Sequence, residues 1–191
     1  ANLGIAKLAK LTKEVLTDED AVLPMARTAL EMLMRQVVTV SGEIAVLDRQ
    51  LLAWHARSEA SRRLSDIPGL GVLTATALAA TVTDPKQFHS GRQFAAWLGL
   101  TPQQHSTGGK THLAGISKQG DRYLRRLLVV GATAVIRHIK DNPTPVAIWV
   151  RKLMEKKPFR LVSVALANKM ARVAWVVLTR KERYQPHKLA A

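Results

Sequence analysis

The stretch IPGLGVLTATALAAT, residues 67–81, decides the fold, because one helical pattern ends in it and another begins. Pro68 breaks a helix that arrives from residue 66, and Gly69 and Gly71 permit a tight turn. The residues after Gly71 are small and mostly apolar, which predicts a second, buried helix. The stretch therefore divides the chain into residues 1–66 and residues 67–191.

The Pro-Gly turn has two interpretations. Its pattern is similar to the hairpin of a helix-hairpin-helix module, in which the free N–H groups at the start of the second helix bind a phosphate. Gly69 and Gly71 are then candidate nucleic-acid-binding residues. The alternative is a plain helical turn without a ligand.

Residues 1–66 predict coiled-coil helices that associate through a heptad seam. Pro24 fits only the first turn of a helix, so the long helix is expected to start just before it and to run to about Arg63. One small domain cannot cover so long an apolar stripe, so a second copy of the chain is the predicted partner, in a homodimer or a higher oligomer. The alternative is that the short helix at residues 3–16 folds back on it. The seam comprises Leu23, Ala26, Leu30, Leu33, Val37, Val40, Ile44, Leu47, Leu51 and Trp54.

Charge distinguishes the two parts of the chain. The net charge of +15 arises from 29 Lys and Arg against 14 Asp and Glu. Residues 1–66 hold nine basic and nine acidic residues, whereas residues 67–191 hold 20 basic and five acidic ones. An excess confined to one part is typical of a surface that binds a polyanion, usually nucleic acid. A solvated basic face without a ligand remains the alternative.

Composition excludes several classes of protein. The absence of cysteine rules out disulfides and thiolate metal sites, and the dispersed carboxylates of residues 67–191 argue against a metal-dependent nuclease site. No metal or cofactor is therefore predicted within the chain. No apolar run reaches membrane-spanning length, so we expect a cytoplasmic protein without a membrane partner.

The polar stretch HSTGGKTHLAGISKQG, residues 105–120, lies between two apolar segments. Ser90 is a predicted N-cap for the short helix before it, and Asp121 for the Arg-rich helix after it. A small β-hairpin is expected within residues 102–118, and further helices at about 144–156 and 161–181.

The predicted fold class is mainly α, with a long coiled-coil helix followed by a compact helical domain. The helix after Gly120 is expected to bury Leu124, Leu127, Leu128, Ala132 and Ile136.

The same stretch could support nucleophilic chemistry on a phosphodiester. A serine that attacks phosphorus needs cations to stabilise the charge that develops on the phosphate oxygens. Ser106 and Ser117 are the candidate nucleophiles, although a loop serine is more often a turn or capping residue. The glycines let a backbone approach a phosphate closely. The predicted phosphate-binding residues here are Gly108, Gly109, Lys110, Lys118, Arg122, Arg125 and Arg126.

Two runs in the chain resemble a known family. They are IPGLGVLTATALAATV, and FHSGRQFAAWLGLTPQQHSTGGKTHLAGISKQGDRYLRRLLVVGA. Together they are similar to the C-terminal transposase domain of the insertion-sequence 110 and 1111 group, which are RNA-guided recombinases. The resemblance covers about residues 67–184, and the long helix before them matches the coiled-coil linker of that family.

The resemblance implies a function. Such proteins move a DNA element by recombination, using a guide RNA, and a serine of this domain becomes attached to the cleaved strand. Ser106 lies in the matching Ser-x-Gly-Gly segment and is the preferred nucleophile, and Ser117 is the alternative. Aligning the motif one residue later would place Thr107 at the position of the nucleophile. In the family an acidic RuvC-like domain of another protomer binds magnesium.

That RuvC-like domain is not found in this sequence. The chain is therefore predicted to be a C-terminal piece that binds DNA and assembles without completing strand transfer alone. The alternative function, from another class, is a non-catalytic module for nucleic-acid binding and dimerisation.

Overall fold

The computed structural model of the chain describes residues 2–17, 23–107, 110–139 and 143–186. It divides into two compact units, residues 1–50 and residues 51–191. The described part is mainly helical with one small two-stranded sheet, as predicted. The predicted boundary between residues 66 and 67 rests on charge and on the resemblance, and it stays a prediction.

The first unit contains α1 (Asn2–Thr17) and most of α2 (Pro24–Arg57). Pro24 is the first residue of α2, which confirms the predicted start. Arg27 Nη1 donates a hydrogen bond of 2.6 Å to the carbonyl oxygen of Leu16, and this bond joins the end of α1 to the start of α2. No residue of α2 is buried, and Ile44 in the middle of the heptad seam is 52% exposed.

The long helix ends at Arg57, earlier than the predicted end near Arg63. Ser58 has extended backbone, and its side chain accepts the N–H of Ser61 at 3.3 Å, which starts α3 (Glu59–Ser65). His55 Nδ1 lies 2.7 Å from the hydroxyl oxygen of the same Ser61, which is fully buried. The helix breaks because a serine cap satisfies the N–H groups that a continuous helix would bond internally.

The second unit is built around α8 (Phe159–Arg180), which packs against α3, α5, α6 and α7. By length and composition α8 is apolar enough to cross a membrane, a feature that was not predicted, although Lys169 and Arg172 interrupt its apolar residues. Because more than half of its most apolar stretch is buried inside the domain, α8 has the character of a core helix. The buried residues of α8 are Val162, Ser163, Leu166, Ala167, Met170, Ala171, Val173, Ala174, Val177 and Leu178.

The helix α6 (Arg122–Arg137) and the shorter α7 (Pro145–Met154) complete the core. On α6 the residues Leu124, Leu128, Ala132 and Ile136 are buried as predicted, whereas Leu127 is only half-buried. One side of α6 thus faces the core, and the arginines of its first two turns remain outside it.

The turn between α3 and α4 (Val72–Thr81) lies directly on the backbone of α6. Gly69 has φ +90°, and a Cβ on Gly131 of α6 would lie 2.0 Å from the carbonyl oxygen of Gly69. A Cβ on Gly69 would in turn lie 2.7 Å from Met170 Cε. Both positions therefore require glycine, because no side chain fits between the two backbones.

A short 3₁₀ turn (Pro85–Gln87) leads to α5 (Gly91–Trp97), and Ser90 caps this helix as predicted by accepting the N–H of Gln93 at 3.2 Å. The polar stretch then forms the predicted hairpin, in which β1 (Pro102–Thr107) pairs antiparallel with β2 (Lys110–Ile116). The register is irregular between Pro102 and Gln104.

Candidate nucleic-acid interface

The root of the hairpin is fixed by backbone contacts. The amide of Ser117 donates to the carbonyl oxygen of Thr101 at 2.9 Å, and that of Lys118 donates to Gly99 at 3.2 Å. Gly99 and Gly120 have φ values of +69° and +84°. A Cβ on Gly120 would lie 1.8 Å from the carbonyl oxygen of Trp97, so the segment after β2 lies against the end of α5 at a distance that only glycine permits.

Arg125 links this root to α6. Its Nη1 donates hydrogen bonds of 3.1 Å to the carbonyl oxygens of Leu98 and Gln119, one on each side of the hairpin. The guanidinium group has five N–H donors, so the others remain for a phosphate. Its predicted role in nucleic-acid binding stays a prediction, and its structural role is to hold the two ends of the hairpin together.

The start of α6 presents positive charge. Asp121 Oδ1 accepts the N–H of Leu124 at 2.9 Å, which confirms the predicted cap. Arg122 and Arg126 are exposed and lie four residues apart, so they share one face of the helix. Two positive charges on one exposed face attract anions, while the partial positive charge of the helix end is offset by the capping Asp121 carboxylate.

The two candidate nucleophiles lie at different ends of the hairpin. Ser106 pairs with Thr111 near its tip, whereas Ser117 directly follows β2 at its root and is half-buried. Ser117 lies six positions after Thr111 in the chain, which corresponds to roughly 20 Å of extended strand. The two serines therefore belong to different sites. Thr107, the register alternative, pairs with Lys110.

The predicted phosphate-binding residues are distributed in the same way. Lys118, Arg122 and Arg125 lie around the root, and Lys110 lies in the pair next to Ser106. The predicted residues Gly108 and Gly109 lie outside the described residues. The cations that were predicted to surround one serine thus divide into one set at the root of the hairpin and Lys110 near its tip.

The two glycines of the Pro-Gly turn differ in their surroundings. Gly69 is held between α6 and α8. Gly71 is the N-cap of α4, is exposed, and has open space where a Cβ would stand. Only the second glycine lies where a phosphate could reach the free N–H groups at the start of α4.

A basic groove between α5 and α8 was not predicted. It has a volume of about 500 Å³, and Arg92, Lys169 and Arg172 carry its charge. Burial lowers the pKa of the Lys169 ammonium, and the neighbouring Arg172 lowers it further. Lys169 and Arg172 lie three residues apart on α8, so helical spacing could have paired them. Nothing in the sequence connects them with Arg92 on another helix.

A divalent metal would require several ligands that converge on one point. Among the side chains that the structure describes, which exclude those of residues 105–113, no group of three His, Asp or Glu does so. These side chains therefore do not fit a divalent metal.

The basic hairpin root, the basic helix end and the basic groove give this helical domain several cationic surfaces, a charge pattern typical of polyanion binding. Residues 61–146 match the model of the "Transposase IS116/IS110/IS902 family". This chain carries a transposase domain of that family, and the resemblance seen in the sequence is confirmed.

Relatives support the same assignment. The "Probable family 20 transposase" of Pseudomonas aeruginosa is 44% identical over 96% of this chain and 54% of its own length. The "Transposase for insertion sequence element IS1111A" of Coxiella burnetii is 40% identical over 85% of the chain and 44% of its own length. The transposase for IS1328 of Yersinia enterocolitica is 39% identical over 92% of the chain and 52% of its own length. The chain thus spans about half the length of these relatives.

Proposed function

We propose that this chain is the serine-bearing part of a DNA transposase, which moves an insertion sequence by recombination in the bacterial cytoplasm. The observation that carries the proposal is the hairpin with Ser106 near its tip, whose root is fixed to the basic end of α6. A rigid root lets the hairpin hold a reactive group at a constant distance from the DNA backbone that Arg122 and Arg126 bind. The match to the transposase family supports DNA as the substrate.

In the proposed reaction Ser106 attacks a DNA phosphodiester. A bond forms between Oγ and phosphorus, and the bond between phosphorus and one deoxyribose oxygen breaks. The hydroxyl proton passes to a base, and the departing deoxyribose oxygen takes up a proton. The product is a phosphoserine ester that another strand's hydroxyl can attack in turn, so that rejoining needs no external energy source. Cations such as Lys110 stabilise the charge on the non-bridging oxygens.

Other components of the proposed reaction lie outside this chain. The family resemblance assigns magnesium to the carboxylates of a RuvC-like domain, and sequence choice to a guide RNA that pairs with DNA. The alternative function, a non-catalytic module for binding and dimerisation, needs the same cations but no serine.

DNA binding is tested by its dependence on salt. Each neutralised phosphate contributes about 0.9 to the slope of log K against log salt for duplex DNA. If Arg122 and Arg126 each contact one phosphate, the double variant Arg122→Ala/Arg126→Ala should lower the slope by about 1.8. The measurement is fluorescence anisotropy of labelled duplex DNA over a range of salt concentrations.

The matched control is Arg35→Ala/Arg62→Ala, which removes the same charge from two exposed positions outside the basic part. It should leave the slope unchanged. A wild-type chain whose affinity does not depend on salt would refute nucleic-acid binding and favour a solvated basic face without a ligand.

We also propose that α2 forms a homodimer through the heptad seam. Leu33, Val40 and Leu47 are each more than half exposed, as is Ile44, although their spacing is that of a buried coiled-coil core. Such a continuous apolar stripe is stable in water only when a partner covers it. A second copy offers the same stripe and is the simplest partner.

Ile44→Asp should dissociate this dimer, because its interface would then bury an unpaired charge. We expect at least about a hundredfold weaker self-association, measured by sedimentation equilibrium. The control is Val46→Asp, an equally apolar position two residues away that is exposed and off the seam. A wild-type chain that sediments as a monomer at all concentrations would contradict the proposal.

A further inference from the structure

The groove between α5 and α8 is formed by a close approach of the two helices. A Cβ on Gly91 would lie 3.1 Å from the carbonyl oxygen of Arg172, so the start of α5 rests almost on the backbone of α8. The open space beside this contact, about 500 Å³, is within the range of sites that hold small molecules. Its lining residues are Ser90, Gly91, Arg92, Lys169, Arg172, Val173, Trp175 and Val176.

No carboxylate among the described residues neutralises the charge in the groove. Arg92, Lys169 and Arg172 have no carboxylate partner among the residues that the structure describes. Lys169 Nζ lies 5.3 Å from the centre of the Trp149 ring, which does not line the groove, so this ammonium group is held at the edge of the groove. Burial and the neighbouring Arg172 both disfavour the charged form of Lys169 and lower its pKa. An anion bound among the three cations would offset the repulsion.

One wall of the groove is apolar and rigid. Trp175 Nε1 donates a hydrogen bond of 3.0 Å to the carbonyl oxygen of Pro85, which fixes the orientation of the indole ring. Val173 and Val176 continue the wall on the same helix. A fixed aromatic ring beside cations is the arrangement by which proteins bind single-stranded nucleic acid, since the base stacks while the cations hold the backbone.

We propose that the α5–α8 groove binds one unpaired nucleotide of a nucleic-acid strand, with its phosphate among Arg92, Lys169 and Arg172 and its base against Trp175. This inference rests on the proposed function, because it presupposes that the domain binds nucleic acid. Paired bases in a duplex stay stacked inside it and cannot enter such a groove, so the ligand is a single-stranded segment of DNA or RNA.

The position of the groove supports continuity with the hairpin. Asn168 Nδ2 donates a hydrogen bond of 3.1 Å to the carbonyl oxygen of Leu100, two residues before β1. Lys169, at the edge of the groove, is the next residue along α8. The hairpin root and the groove therefore contact neighbouring residues of α8.

The test compares two double variants by fluorescence anisotropy with short labelled oligonucleotides. Arg92→Ala/Arg172→Ala removes two exposed groove cations, and Lys156→Ala/Arg160→Ala removes two exposed cations outside the groove. If each groove cation contacts one phosphate, the groove variant should bind single strands at least about tenfold more weakly, with a salt slope lower by about 1.4. Its duplex affinity should equal that of the control variant. Single-stranded DNA and RNA of one sequence are tested separately, and the one that binds more tightly identifies whether the nucleotide in the groove belongs to DNA or to RNA.

Photo-crosslinking gives a second measurement, which reports where the strand lies on the protein and not how tightly it binds. A single strand carrying 5-iodouracil should crosslink to the α8 peptide that contains Trp175, and the groove variant should lose this crosslink. Crosslinks confined to hairpin peptides, together with equal single-strand affinity of the two double variants, would overturn the inference and leave the proposed function intact. A wild-type chain that binds neither strand nor duplex would overturn both.

Discussion

Replacing Ser106 by alanine in the full-length transposase is expected to abolish its covalent attachment to DNA. Alanine has no oxygen to form the ester with phosphorus, and loss of a nucleophile costs at least about a thousandfold in rate. The adduct is measured by denaturing gel electrophoresis after incubation with guide RNA, magnesium and labelled DNA. Duplex binding, read as the salt slope, should be unchanged, because alanine removes no cation.

Ser117→Ala is the matched control, because its serine lies on the same hairpin roughly 20 Å along the strand. It should still form the adduct. An adduct that survives in Ser106→Ala but disappears in Ser117→Ala would move the nucleophile to the root. An adduct unaffected by either substitution would refute a nucleophilic role for both serines. If the wild type binds DNA but forms no adduct, the non-catalytic alternative is favoured.

The second large effect concerns the hairpin root. Gly120→Ala should lower the free energy of unfolding of the second unit by at least about 3 kcal/mol. The new Cβ would lie 1.8 Å from the carbonyl oxygen of Trp97, and alanine would also have to adopt φ +84°. Both effects force the segment after β2 away from α5. The measurement is urea denaturation followed by circular dichroism.

Gly115→Ala is the control for this prediction. Gly115 lies in β2, and a Cβ added there would have no other atom within 4 Å. Its replacement should therefore change the unfolding free energy by less than about 0.5 kcal/mol. Equal stability of the two variants would show that the root contact is not needed for folding.

Sequence predicted the elements that depend on local signals. Pro24, Ser90 and Asp121 begin their helices where expected, because a proline ring or a capping side chain acts on residues next to it. The break at Ser58 was missed because the heptad spacing continues to Trp54 and the residues beyond it also favour a helix. The Ser58 cap forms next to Ser61, which is buried in the folded domain. This burial depends on residues distant in the chain, so the local sequence does not show it.

The candidate site was predictable only in part. The sequence identified the two serines and most of the cations but not the distances between them. Those distances depend on the register of the hairpin, which places Ser106 near the tip, whereas Ser117 follows β2 at the root. Arg125 was taken only as a phosphate ligand, since a sequence does not show which carbonyl groups need a donor. The α5–α8 groove depends on the packing of Gly91 against Arg172, two residues far apart in the chain.

The backbone contact between Gly69 and Gly131 makes part of the second unit mechanically stiff. With no side chain between the two backbones, no rotamer change can absorb a displacement of one relative to the other. Tension applied to the turn before α4 would therefore pass directly into α6, and through Arg125 into the root of the hairpin. The turn before α4 and the root of the hairpin, which are distant along the chain, would then move together as one body.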